Sequence, residues 1–390
     1  MLLPRQPGDP QHPSLRHLTI KPHHGCRYNC PYCKSRRDLF RKSGGIRLGL
    51  DDWAGVFADA DRLGCQYLDI SGGEPTLYRL LPGLVWEAKR RGWFVSLNSS
   101  GYGIPAALDA LAAACLDQVI ISLLSIDAAR HDSARGAQGS WQTALRAMDR
   151  VASSGMRLII HLIVNRHNYA ELPLLIDFAF ARGAAGLALV YPEDDGESRH
   201  LLMTAAEILR FRAEVLPECL RRYASHRPIP DASHANLAGL FAMHGVSGDF
   251  SAGRYWTDIE DAHRCCLKPE SFALIYANGD VLPCNGVEYS HRPIAGNVLR
   301  QSLGEIWTGP EYAAFRESRM AFCRLCPSSH HTGIAVHRAD NPPYAAPVVR
   351  RIPEALPVAR PAAQDRGGSQ SSGRATAARS AAAQMRALNS

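Results

Sequence analysis

Three cysteines share one short loop, in the run His24-Gly25-Cys26-Arg27-Tyr28-Asn29-Cys30-Pro31-Tyr32-Cys33, directly after an apolar strand segment. The CxxxCxxC spacing offers three thiolates where a closed ferredoxin-type cluster or a structural zinc site wants four. A cubane [4Fe-4S] cluster held by three thiolates keeps one iron open to an outside ligand. A zinc knuckle or a group of buried thiols are the alternatives.

Downstream, short apolar strands alternate with amphipathic helices, a pattern that predicts parallel βα units. Strands are expected at 15–21, 66–71, 93–98, 118–123, 158–164 and 186–191, and helices at 50–63, 78–91, 105–115, 141–154, 169–182 and 204–223. Several helices close on a glycine, Gly64, Gly92, Gly155 or Gly183, where a left-handed cap is needed. The expected fold class is α/β, a partial (β/α)6 TIM-like barrel. By analogy with closed barrels, its chemistry belongs at the C-terminal ends of the strands. In the fifth strand, parity turns Leu158, Ile160, Leu162 and Val164 toward the helices and Ile159, His161, Ile163 and Asn165 toward the lumen.

A second motif, Ser71-Gly72-Gly73-Glu74-Pro75, ends the second expected strand. Paired glycines let backbone approach a ligand closely. With CxxxCxxC and the aromatic Tyr32 before its last cysteine, this motif makes the chain resemble the radical S-adenosylmethionine (SAM) superfamily. That resemblance implies reductive cleavage of SAM, chelated at the open iron, to a 5′-deoxyadenosyl radical that abstracts hydrogen from substrate. It also implies SAM contacts from Tyr32, Gly72, Gly73 and Glu74, where Glu74 or the backbone beside it receives the ammonium. Asn98, Ser99, Ser122 and Asn165 are implied on the adenine, ribose or nearby. Asp127, His131, Asp132, Arg135 and Gly136 are similar to the family's loop after strand four, although capping is an equal reading for Asp127, Asp132 and Ser99.

In the C-terminal part, Cys266, Gly279-Asp280-Val281-Leu282-Pro283-Cys284 and Cys323-Arg324-Leu325-Cys326 resemble a shortened, Twitch-type SPASM domain. The implied cofactor is one auxiliary [4Fe-4S] cluster on Cys266, Cys284, Cys323 and Cys326, with a four-cysteine zinc site as the alternative. Cys265 is then a spare thiol, able to return a hydrogen atom in an epimerase or simply packed. Cys65, Cys115 and Cys219 fall in or beside helices and read as core residues.

The 390 residues, 46% hydrophobic, suit a two-domain globular protein. The expected division is an N-terminal extension at 1–14, the barrel at 15–200, a helical connection at 201–245, the auxiliary-cluster domain at 246–337 and a basic tail at 338–390. Eleven cysteines without a signal-like N-terminus point to the cytoplasm and to metal or redox use. No long uninterrupted apolar run predicts a membrane span. Of the net charge of +7, the tail holds +5, eight arginines against Asp340, Glu354 and Asp365. The remainder is nearly neutral, so nucleic acid is not an expected partner, and the tail's composition predicts disorder.

Only about fourteen residues precede the first strand, which favours a small-molecule substrate over a peptide. The single auxiliary cluster resembles aminocyclitol dehydrogenases and sugar epimerases of aminoglycoside pathways. The leading expectation is therefore a radical SAM oxidoreductase that oxidises an alcohol of a sugar-like intermediate, served by an external electron donor such as flavodoxin or ferredoxin. His161 could touch substrate, and the proton acceptor is sought among Tyr191, Glu193, Asp194, Arg199 and His200. The rivals are an epimerase using Cys265, a peptide maturase, and a zinc- or iron-containing nucleic-acid-binding module.

Overall fold

The computed structural model describes residues 13–33, 47–190, 192, 198–226, 268–284 and 294–323, with 268, 269 and 318–323 by backbone alone. Six parallel strands, β1 (His17–Lys21), β2 (Tyr67–Ile70), β3 (Phe94–Ser99), β4 (Gln118–Ser122), β5 (Arg157–Ile163) and β6 (Gly186–Val190), lie side by side in chain order. Between them run α1 (Leu50–Arg62), α2 (Leu81–Lys89), α3 (Ile104–Ala113), α4 (Ala128–Arg135), α5 (Ser140–Ala152) and α6 (Leu172–Ala181). The expected partial (β/α)6 barrel is the fold.

The first helix shows how local sequence sets these elements. The Asp52 carboxylate accepts the Gly49 amide at 2.8 Å, closing the N-terminus, and Trp53, Val56, Phe57 and Ala60 form the buried stripe. Gly64, at φ +96°, ends it in the left-handed region. Helix α4 was not expected as a helix, because its eight residues are mostly polar. Its two caps make it: Asp127 accepts the Arg130 amide at 2.8 Å, and Gly136 takes φ +60° at the other end. After β6, α7 (Ala205–Arg210) passes through a π turn at Phe211–Val215 into α8 (Leu216–Ser225). Pro217 supplies the cause, since its ring cannot pass the carbonyl four residues back in a regular helix.

The sheet does not stop at β1. Strand β7 (Phe272–Tyr276) pairs in parallel with β1, and β8 (Asp280–Leu282) and β9 (Gly296–Asn297) follow antiparallel, giving the order β6-β5-β4-β3-β2-β1-β7-β8-β9. The C-terminal segment thus covers what would be an open strand edge. Before β7 stands α9 (Lys268–Ser271), and after β9 come α10 (Leu303–Thr308) and α11 (Pro310–Cys323). The Asp59 carboxylate of α1 accepts the Leu303 amide at 2.9 Å, and the Trp307 indole donates to the Pro13 carbonyl at 3.3 Å, so α10 is fastened to the barrel wall. The expected tail at 338–390 lies outside the described residues. No described helix is long and apolar enough to cross a membrane.

Strand parity holds. Leu158, Ile160, Leu162 and Val164 belong to the large core between sheet and helices, whereas Ile159 packs with Ile120 and Ala188 on the other side, inside the lumen. Under the strands one ion pair is wholly enclosed. The Lys89 ammonium donates to Asp117 at 2.6 Å and to the Trp93 carbonyl at 3.0 Å, and the same carboxylate accepts the Val95 amide at 2.7 Å. Their side chains are 0% and 2% exposed. Removing one partner strands a buried charge, so Asp117→Ala should lose about 3–5 kcal/mol of stability. Asp117→Asn, which still accepts the Val95 amide, should lose less; the midpoints of chemical denaturation give the comparison.

Candidate active site

The cysteine loop is fastened on two sides. On one, the Gly73 amide donates to the His23 carbonyl at 3.0 Å and the Glu74 amide to the Gly25 carbonyl at 2.7 Å. On the other, the Asn29 amide donates to the Arg135 carbonyl at 3.0 Å, at the end of α4. Both seams demand glycine. A Cβ at Gly73 would lie 2.2 Å from the Gly25 oxygen, one at Gly72 2.5 Å from the His23 oxygen, and one at Gly136 2.7 Å from the Asn29 oxygen. The paired glycines therefore serve the approach of two loops to each other, a reason different from the ligand approach the sequence suggests.

Glu74 is fully buried and its carboxylate is saturated from within. One oxygen accepts the Thr76 amide at 3.2 Å, the Thr76 hydroxyl at 2.7 Å and the Ser99 hydroxyl at 2.8 Å; the other accepts the Ser100 amide at 2.8 Å and the Ser100 hydroxyl. This clamp ties the loop after β2 to the end of β3, and leaves the neighbouring backbone as the part of the motif able to meet an ammonium. Thr76 and Ser100 went unnoticed in the sequence, where nothing marks a hydroxyl as a partner of a distant carboxylate.

The three thiols differ in exposure: Cys26 is exposed, Cys33 intermediate and Cys30 buried. Burial raises the pKa of Cys26, opposed by the Tyr28 amide, which donates to its Sγ at 3.4 Å; the charges of Glu74, Cys30 and Cys33 raise it further. Three thiols close enough to repel one another as thiolates fit a cationic iron-sulfur core, whose binding expels their protons. Among the described residues no three His, Cys, Asp or Glu side chains converge on one metal-ion position; a cubane asks instead for thiolates on three different irons. Burial likewise lowers the pKa of His24 to about 4, with help from Arg47, His23 and Lys21, so the residue before the loop is neutral. Tyr32 is pushed well up by burial and stays a phenol beside Cys30.

Other expected contacts are placed as follows. Asn98 donates to Asp69 at 3.4 Å, and Asp69 lies 3.6 Å from His17, a lumen pair that periodicity did not single out. Ser122 pairs in register with His161, and His161 with Ala188, above the apolar floor of Ile120 and Ile159. Asn165 spends its amide locally, donating to the Ile163 carbonyl at 3.0 Å and accepting the His167 amide at 2.9 Å. Asp132 caps α5 through Gly139, Ser140 and Trp141 at 2.6–2.8 Å. His131 is buried, accepts the Leu124 amide at 3.1 Å and has its pKa lowered by burial to about 3. Arg199 and His200 have exposed side chains on the short turn Arg199–Leu201. Tyr191, Glu193, Asp194, Cys265, Cys266 and Cys326 lie outside the described residues, and Cys323 is described by backbone alone. Cys284 follows β8, partly buried against Phe272, Leu274, Tyr276 and Leu282. Burial pushes Cys65 and Cys219 up to about 12, which suits inert core thiols.

Gly73→Ala should separate the loops without touching a thiol. Its iron content after anaerobic reconstitution should fall by about four per chain, one cubane. Gly92→Ala, whose Cβ would meet nothing within 4 Å although φ is +79°, serves as the control and should keep its iron.

Residues 20–179 match the model of the radical SAM superfamily, and residues 265–327 that of the SPASM iron-sulfur cluster-binding domain. A PqqA peptide cyclase of Streptomyces rochei is 28% identical over 320 residues, 80% of this chain and 82% of the relative. One of Ruegeria pomeroyi is 29% identical over 309 residues, 78% and 77% of the two chains. Streptococcus suis SuiB, solved with its precursor peptide SuiA, superposes with a TM-score of 0.59 at 17% identity, covering 80% of this chain and 70% of SuiB. The relatives overturn the expected small-molecule partner: they are peptide cyclases, and the alcohol-oxidising and epimerising readings gain nothing from them. The cysteine spacings that suggested a sugar enzyme specify clusters, which many substrates can share. The chain is a radical SAM enzyme with a C-terminal SPASM domain, using SAM, a [4Fe-4S] cluster at the SAM site and an auxiliary iron-sulfur cluster.

Proposed function

We propose that this enzyme modifies a peptide, forming a bond between side chains of a precursor. The observation that carries the reading is likeness to PqqA peptide cyclases along most of both chains, across barrel and SPASM domain together. Bound SAM supplies the 5′-deoxyadenosyl radical. In this reading Cys26, Cys30 and Cys33 hold the SAM-site cluster, while the seam of Gly72, Gly73 and Glu74 fixes the loop that carries them. Cys284 acts with Cys266, Cys323 and Cys326 as the auxiliary ligand set. A peptide side chain entering the lumen would meet the apolar cluster of Ile120, Ile159 and Ala188, with the polar side chains of Asn98 and His161 beside it on β3 and β5. The apolar cluster excludes water from a reactive carbon, and the polar side chains offer hydrogen bonds that hold the entering group in one orientation.

The test is an anaerobic reaction of the reconstituted enzyme with SAM, a low-potential reductant and short peptides encoded beside its gene. A peptide lighter by the two hydrogens that a new internal bond releases, with fragmentation suppressed between the joined residues, is the expected product. Turnover of sugars or aminocyclitols with every peptide unchanged would refute the reading. His161→Ala should lower product formation about tenfold, one contact of about 1.4 kcal/mol, while 5′-deoxyadenosine still forms. Cys284→Ala should remove about four irons and the peptide product, yet leave SAM cleavage running uncoupled.

A further inference from the structure

Arg135 ends α4 with its side chain 7% exposed. One guanidinium nitrogen, Nη2, donates to the Ser122 carbonyl at 2.9 Å, and the other, Nη1, reaches the Cys30 sulfur at 3.8 Å. The centre of the group lies 5.6 Å from the Tyr28 ring, and Nε is buried with no acceptor among the described residues. A guanidinium keeps its proton in any protein environment, so this is a permanent buried charge.

Such a charge is tolerated only when something balances it. The Ser122 carbonyl dipole and the face of the Tyr28 ring give part of that balance. Tyr32, Cys30, Tyr28 and His131 all interact electrostatically with Arg135, and among them Cys30 is the one that becomes an anion when it binds iron. Cys30 is itself 7% exposed, whereas Cys26 is exposed and among the described residues receives the Tyr28 amide. The three thiolates are therefore not equivalent: one is paired with a desolvated cation.

We infer that Arg135 is the built-in counter-ion of the SAM-site cluster, acting through Cys30 to favour the reduced, more negative state. Cluster potentials respond to net charge, to hydrogen bonds on sulfur and to solvent exposure, and Arg135 changes the first two at the most buried of the three ligands. The residue positions and tunes; it donates nothing to substrate. Its backbone also accepts the Asn29 amide, so the helix end that brings the charge is the same one that holds the loop.

The test uses full-length reconstituted enzyme and follows the cluster whose EPR signal changes on adding SAM. Arg135→Gln, which keeps a donor and loses the charge, should reduce tenfold less favourably at a given potential, a midpoint lower by about 59 mV for one electron. Arg135→Lys, which keeps the charge, should shift less than the glutamine variant. An unmoved midpoint at wild-type iron content would overturn the inference, as would weaker SAM binding with the potential unchanged, which would assign Arg135 to SAM. If the glutamine variant takes up no iron, the wild type carries the test. Pulsed EPR of SAM-free enzyme grown with nitrogen-15 arginine should show an isotope-sensitive arginine coupling to the reduced cluster, lost in Arg135→Lys, and its absence from the wild type would refute the pairing.

Discussion

Two backbone hydrogen bonds, from the Gly73 amide to His23 and from the Glu74 amide to Gly25, hold the cysteine loop against the end of β2. Everything chemical here depends on that seam. In the proposed reading three thiolates are presented together at the mouth of the barrel, yet the loop that bears the cysteines has no regular structure of its own. Order is imposed by neighbours: the glycine pair on one side and the end of α4 on the other. Each contact brings backbone to within a distance that no Cβ would allow.

The buried Glu74 carboxylate extends that order inward. Donors from Thr76, Ser99 and Ser100 satisfy it, so a charge removed from water is compensated five times over, with charge-assisted hydrogen bonds that are individually strong. The result is a rigid corner joining β2, β3 and the cysteine loop. The sequence reading offers Glu74 or the backbone beside it to a ligand, and in the fold the carboxylate is occupied in joining these elements. Both roles would select a glutamate at this position, which is why the motif alone does not separate them.

Legibility in the sequence followed the range of the interaction. The six barrel strands were found nearly to the residue, because parity and apolar runs are local signals, and Gly64 and Gly183 marked helix ends by a backbone conformation that few residues adopt. Helix α4 escaped because its stability rests on caps at Asp127 and Gly136 and not on an apolar stripe. The pairing of β7 with β1 escaped too, since about 250 residues of chain separate the partners and no periodicity reports on pairing at that range. Among site residues, the cysteines and the glycine pair were visible as spacings. Thr76, Ser100 and the Asp69–His17 pair were not, because each gains its meaning from a residue elsewhere in the fold.

Substrate class was the least legible property, and the reason lies in how the molecule divides its work. In the proposed reading the cysteine loop and the glycine seam serve the cofactor, and both are encoded by short motifs with fixed geometry. The lumen residues that would meet a substrate are single residues on separate strands, such as Asn98 on β3, Ser122 on β4 and His161 on β5. Such a set has no spacing to recognise and can be exchanged one residue at a time without disturbing the cofactor wall. A barrel built this way keeps its radical chemistry while its substrate changes, so likeness along the whole chain informs on substrate where cluster spacing cannot.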